Sequence, residues 1–565
     1  MALEPVALQR EVGRRVEPPV LIVRRFTARR VGVALLLAIT AGAIAFRAPL
    51  LSMRPMHTDE AVQAVKFGQL YDQGYYKYDP YEYHGPTLNF VTLPFVWLSN
   101  PAEHSFATTS ETAYRVVPVV FGIGTLLLMF LAAEALGWPA AVIAGLLLAI
   151  SPAFVFYNRY YIHESLFVFF TFLFLIALWQ SLRSKKLGWV LLAGAAAGLM
   201  HATKETSIIT FTAVGCGLVG ITLWRRYGPW VPSEDRRPLK LPPLKPWGYA
   251  ALVALAVIFV TYSSFFMYPA DPEHPRSFFG RLMEGPLDAI RCYTRYFNRG
   301  VGNESHVHPW YFYLNILLYF RNAPGPYFTE ALIVVLSIAG IVVAITGWAL
   351  SGERLWIARF LAIYTVALTF AYSMIPYKTP WCMLSFLFGM ILLAGIGAVV
   401  LVQNMPRWWL KAPACLVLLI AAGHLTKQSY ISNYKFHADP RNPYVYSHTC
   451  GDINNLSKRV EDIAAVSSDG DKMLIKVVSS EHYPLPWYLR RFPNIGYWRQ
   501  PPENADAPVV IASRDVDDDL TSKMKSKYHT EYFGLRHGFP VLVYVKQELW
   551  DEFMRRRTAS VVSSQ

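Results

Sequence analysis

The chain has 565 residues, a formal net charge of +14, 54% hydrophobic residues and only 16% charged ones. Its mean hydropathy is +0.27, whereas a soluble protein of this size carries about 25% charged residues. These values exclude a soluble multidomain protein, a collagenous or disordered chain and a disulfide scaffold, and leave a polytopic membrane protein. Aromatic residues reach 15%, the bias expected of side chains that straddle membrane interfaces.

Residues 1–30 are Arg-rich and form a basic segment expected on the cytoplasmic side, with no cleavable signal peptide. A spanning helix needs about 20 mostly apolar residues. On that criterion spans are predicted near 31–48, 116–136, 139–156, 166–182, 188–199 and 207–224. Others are predicted near 249–266, 331–350, 355–375, 382–403 and 408–425, about eleven in all. With the N-terminus inside, RSKK at 183–186, the basic tract after Trp224, SGER and MPRWWLK all fall inside, as the positive-inside rule asks. The outer side then receives large loops at 51–114 and 267–330, including Asn303, and the tail beyond the last span. Strand-like runs MLIKVVSS, APVVIAS and FPVLVYVKQ alternate there with helical stretches, so 429–565 is expected to be a small extracytoplasmic α/β domain following a membrane domain at 31–428. The five cysteines are too scattered for a zinc ribbon, and Cys292 with Cys450 forms the one pair that could close on the outer side.

Polar groups gather in the outer connections. Asp59 and Glu60 follow the first span, and Arg159, His163 and Glu164 stand in NRYYIHES. His201, Lys204 and Glu205 stand in HATKET, and Lys378 in IPYKTPW. Each alone has a plain explanation: an acid can cap a helix, and a lysine can snorkel to headgroups. Their convergence on one side points to chemistry at the membrane boundary. The YDPYEYHGPT segment adds Tyr81, Glu82, Tyr83 and His84, and Trp381 follows Lys378; such residues suit a sugar, or equally an ordered loop.

An acidic pair directly after the first span, with a further acid in the second outer loop, resembles the C-type glycosyltransferase (GT-C) superfamily of membrane enzymes that use polyprenyl-phosphate-linked sugars. More narrowly, HTDEAVQAVKFGQLYDQGYYKYDPYEYHGPT, RYYIHE, HATKET, IPYKTPW, NPYVYSHT and EHYPLPWYLRRFPNIGYW resemble a prokaryotic family of flippase-activity-associated proteins of archaeal-type glycosylation. The resemblance implies a mannosyltransferase-like, inverting transfer from a polyprenyl-phosphate donor to a protein, lipid or glycan acceptor on the outer face of the cell membrane. The alternative is a lipid-linked-sugar flippase or flippase-associated scaffold. Asp59 is the expected base, with Glu60 as its alternative and Glu164 as a further acid. Arg159, Lys204 and Lys378 are the expected phosphate ligands. A divalent metal (Mg, Mn or Zn) is expected on Glu60, His163 and Glu164. Membrane lipid is an expected partner and nucleic acid is not. The second-loop acid is Glu164 preceded by His163, where the broader pattern more usually has Asp.

Overall fold

In a computed structural model, residues 19–81, 84–99, 103–229, 231, 244–268, 277–302 and 306–563 are described. Asn303, Glu82 and Tyr83 lie outside them, as do residues 1–18 and most of the basic tract after Trp224.

The first helix, α1 (Pro19–Arg47), enters the bundle and leads into the first long connection, which is folded rather than loose. It holds α2 (Thr58–Gln73) and α3 (Thr87–Ser99) ahead of α4 (Glu111–Leu136). The predicted span at 139–156 is two helices, α5 (Trp138–Ile150) and α6 (Pro152–Tyr157). Pro152 has no N–H and disfavours helical geometry at the residue before it, so the chain breaks at Ser151. The Ser151 hydroxyl and the Ala153 N–H of the break both donate to the buried Glu330 carboxylate. Burial pushes Glu330 up to about 7.

There follow α7 (Glu164–Ser184), α8 (Leu187–Thr203), α9 (Ser207–Tyr227) and α10 (Leu244–Tyr262). The second long connection carries α11 (Phe278–Gly302), α12 (Phe312–Leu318) and a hairpin of β1 (Phe320–Arg321) with β2 (Tyr327–Phe328). The remaining bundle helices are α13 (Ala331–Thr346), α14 (Gly352–Met374), α15 (Leu384–Gln403) and α16 (Trp408–Tyr430). Among the described residues eight helices are long and apolar enough to cross a membrane; α3, α5, α8 and α13 are shorter apolar helices. Three of the eleven predicted spans therefore correspond to short helices, α13 because Gly347 ends it in the left-handed conformation. Packing between helices uses small residues. Gly194 and Gly198 of α8 face α10 so closely that a Cβ would lie 2.3 Å from the Ala250 carbonyl oxygen and 2.8 Å from that of Ala254.

Beyond α16 the chain forms α17 (Ile453–Ala464), β3 (Ile475–Val478), α18 (Leu485–Tyr488), β4 (Ile495–Trp498) and β5 (Val509–Ser513). It ends with α19 (Asp517–Lys523), β6 (Tyr528–Arg536), β7 (Phe539–Lys546) and α20 (Gln547–Ser563). The sheet order is β4-β3-β5-β7-β6, parallel across the first three strands and antiparallel across the rest. Strand alternation sends Val509 and Ile511 to one face and Val510 and Ala512 to the other. The first face shares a continuous core with α17 and with Met56, Ala61 and Phe67 of the first long connection. The tail is thereby packed onto that connection. Trp487 Nε1 and the Tyr488 hydroxyl donate to Glu111, and Arg490 donates to the Thr109 carbonyl. Trp487, Tyr488 and Arg490 thus cap that connection. All five cysteines are free, Cys292 and Cys450 included.

Candidate active site

The bundle helices α7, α9 and α15 start, and α14 ends, around one cavity of about 440 Å3. Its walls come from the start of α2, the turns at 162–164 and 204–206, α11, the 375–382 segment, Tyr446 and Ser447, with Glu481 and Arg536 from the tail.

Local chemistry at α2 decides which of the two neighbouring acids faces the cavity. His57 is the N-cap: its Nδ1 accepts from the Asp59 N–H, while its own N–H donates to Glu60, closing a capping box. His57 Nε2–H donates to the Tyr446 carbonyl at 2.9 Å, so both ring nitrogens are used and the imidazole is neutral, as burial also favours. Glu60 is fully buried and turned away from the cavity. It accepts from Arg115 Nε (2.8 Å), Arg115 Nη2 (2.7 Å), the His57 N–H (3.1 Å) and the Tyr161 N–H (2.8 Å). Burial alone would raise its pKa, but the Arg115 and Arg54 guanidiniums hold it at about 2. Glu60 is therefore a structural counter-ion, which corrects the expectation that it serves as alternative base or metal ligand. Asp59, next in line, borders the cavity, and its carboxylate has no hydrogen-bond or ion-pair partner among the described residues.

The HGPT and HATKET motifs meet at the opposite wall. His84 bridges to Lys204, the Thr87 hydroxyl donates to the Ala202 carbonyl, and His84 Nδ1–H donates to Glu205 at 3.2 Å. The last turn of α8 contains His201, so only Lys204 to Thr206 form the connection. Lys204 pairs with Glu164, both buried, and its Nζ lies 4.0 Å from Cys382 Sγ. His163 donates from Nε2 to the Gly85 carbonyl at 3.2 Å, and its ring lies tilted against that of His84 at a centroid distance of 4.8 Å. Burial first, then His84 and Lys204, drive the His163 pKa well down, leaving it neutral. Trp381 lines the cavity beside His57 and Tyr446 at centroid distances of 6.1 and 6.0 Å.

Other expected residues lie elsewhere. Arg159 donates to the carbonyls of Arg47 and Leu50 and to the Tyr434 hydroxyl, locking the end of α1 instead of facing the cavity. Lys378 is buried against the carbonyls of His308 and Ile375. Neither belongs to the cavity lining. Tyr81 is exposed beneath the Arg295 guanidinium, outside the lining. The expected metal ligands are not assembled either. Glu60 is saturated by arginine, Glu164 is held by Lys204, and among the described residues no group of three His, Cys, Asp or Glu side chains could hold an ion. Conversely, Arg536, Glu481, His306 and Tyr296 line the cavity without having been expected to. Arg536 pairs with Glu481, which the quoted EHYPLPW motif contains; nothing in the sequence near Arg536 signals it.

The fold of this helical bundle with its α/β tail is similar to that of solved structures of ArnT and of an archaeal oligosaccharyltransferase. The profile of the dolichyl-phosphate-mannose-protein mannosyltransferase family matches residues 69–268. ArnT from Cupriavidus metallidurans bound to undecaprenyl phosphate is similar at a TM-score of 0.58 and 16% identity, over 92% of this chain and 98% of that one. The oligosaccharyltransferase AglB from Archaeoglobus fulgidus, in complex with an inhibitory peptide and a dolichol-phosphate, is similar at a TM-score of 0.51 and 14% identity, over 92% and 77%. The Archaeoglobus fulgidus enzyme in complex with Zn and sulfate is similar at a TM-score of 0.52 and 13% identity, over 91% and 75%. No curated protein matches this sequence.

Proposed function

We propose that this chain is a multi-pass membrane glycosyltransferase that moves a sugar from a polyprenyl-phosphate-linked donor to an acceptor hydroxyl at the outer face. The observation that carries this reading is the Asp59 carboxylate, unpartnered among the described residues and facing a cavity whose other walls bring Lys204 and Arg536. The relatives bound to undecaprenyl phosphate and to dolichol-phosphate support the donor class. Placement in the cell membrane with the N-terminus inside is supported by Arg183, Lys185, Arg225, Arg226 and Arg354, which stand at the bundle end away from the cavity. The convergence of ionisable groups at one end, with no charged path across the bilayer among the described residues, favours transfer over lipid translocation.

In the proposed step Asp59 accepts the proton of the acceptor hydroxyl as its oxygen bonds to the anomeric carbon. The bond from that carbon to the phosphate oxygen breaks with inversion, and the electron pair leaves on the lipid phosphate. Lys204 and Arg536 stabilise that charge. Each has a carboxylate partner, but an ammonium has three donors and a guanidinium five, so capacity is left for a phosphate. His84, fixed by Glu205, and Trp381 border the space for the sugar and acceptor. Among the described residues none gather into a metal site, and no step is routed through one.

The test uses purified protein in liposomes with radiolabelled lipid-linked sugar, scored for release of lipid phosphate. Asp59→Asn should keep donor binding and lower the rate by about 10²–10⁴-fold. Wild-type protein that releases no lipid phosphate with any donor, yet moves the lipid between leaflets, would refute the transferase reading.

A further inference from the structure

The helix α11 has 25 residues and is about 38 Å long at 1.5 Å per residue. Two contacts fix its level. A Cβ on Gly285 would lie 2.0 Å from the carbonyl oxygen of Tyr262, the last residue of α10, so the two backbones touch where α10 ends. Eight residues on, Tyr293 hydrogen-bonds His201 at 2.9 Å, in the last turn of α8. Because α8 and α10 are packed neighbours, α11 runs across their outer ends.

Around its circumference α11 has three faces. Leu282, Ala289 and Cys292 are buried against the bundle, and Tyr296 and Gly300 continue along the helix to the cavity wall. Glu284, Asp288, Arg291 and Arg295 form a polar face. The third face is apolar and bare: Phe279 is 69% exposed, Ile290 68% and Phe297 62%. At 100° per residue these three fall within one narrow stripe. Phe265, Phe266 and Met267 just beyond α10 are exposed as well, as are Leu252 and Leu255 of α10 itself.

We propose that α11 lies in the headgroup layer of the outer leaflet with Phe279, Ile290 and Phe297 inserted among the lipid chains. The bilayer is the occupant of this face because the stripe sits at the level where α8 and α10 end, and α10 itself exposes apolar Leu252 and Leu255. The polar face carries both charge signs toward water and headgroups. A consequence, which rests on the transferase reading, is that a lipid-linked donor reaches the cavity along α11 without leaving the bilayer.

Nitroxide labels at Ile290→Cys and Arg291→Cys test the placement in full-length protein in phosphatidylethanolamine–phosphatidylglycerol liposomes. Exposed Cys216 and Cys415 are replaced by alanine, and that background supplies the baseline. The Ile290 label should be more accessible to oxygen than to a nickel chelate, and the Arg291 label the reverse. A nickel-accessible label at Ile290, or one shielded from both reagents as a second copy or another protein would shield it, overturns the proposal. Phe297→Cys repeats the reading at a second position of the stripe. Replacing Phe279, Ile290 and Phe297 together with serine should raise the KM for lipid-linked donor several-fold at unchanged kcat, and an unchanged KM overturns the donor route. Protein with no transferase activity still gives the accessibility result, so failure of the catalytic reading is distinguished from failure of this one.

Discussion

Glu60→Gln separates the structural acid from the proposed base. Glu60 is fully buried and accepts four hydrogen bonds, two of them from Arg115. Glutamine keeps a single acceptor oxygen and turns an NH2 toward the remaining donors. It also leaves the buried Arg115 charge with the Leu51, Arg54 and Pro55 carbonyls, the Met56 sulfur and, at 4.0 Å, Glu111. Removing one partner of a buried ion pair costs about 3–5 kcal/mol. A second route gives the same size: holding the carboxyl at about 2 instead of 4.5 corresponds to about 3 kcal/mol, at about 1.4 kcal/mol per pKa unit. Because the folded pKa is depressed, this stabilisation is present above pH 4.5 and is lost as pH falls toward 2. The assay is unfolding in detergent followed by tryptophan fluorescence, beside Asp59→Asn, which should unfold like wild type. If Glu60→Gln proved as stable as wild type while abolishing lipid-phosphate release, Glu60 would belong to the chemistry and the assignment of Asp59 as base would fall.

Lys204→Met should weaken donor binding by about 1.5–3 kcal/mol, the scale of one charge-assisted contact, as read by titration with polyprenyl phosphate; unchanged affinity would confine Lys204 to its pair with Glu164. Arg159→Gln and Lys378→Gln should lower thermal stability and leave the donor KM near wild type, since both are engaged by backbone carbonyls away from the cavity. Buried neutral His57, His163 and His448 have lowered pKa values, so their contribution is intact above pH 6.5 and fades below it. Stability in detergent should therefore decline first below about 6.5 and again below 4.5 as Glu60 protonates. Maleimide should label Lys77→Cys in the first outer connection from outside intact cells and Lys185→Cys only after permeabilisation; the reverse pattern would invert the topology and remove the site from the outer face.

Hydropathy alone delivered the membrane bundle, because apolar length is a local property that each span carries in its own residues. Loop charge gives an expected topology that the maleimide experiment tests, and the strand-like apolar runs at 475–478, 509–513 and 539–546 delivered strands of the tail. The break at Ser151 was also written locally, in Pro152, although a purely apolar count passes over it. What the sequence could not carry was the direction in which each polar side chain points. Asp59 and Glu60 are adjacent acids in the same first turn, yet one opens on the cavity and the other is consumed by Arg115, 55 residues further along. Lys204 and Lys378 both follow a helix end on the cavity side of the bundle, but only the one paired with Glu164 borders the cavity. Arg536 joins that wall because a sheet more than 300 residues away in sequence packs onto α2. These are consequences of long-range packing: buried charges take whichever partner the fold brings within reach, and only the tertiary structure decides which that is.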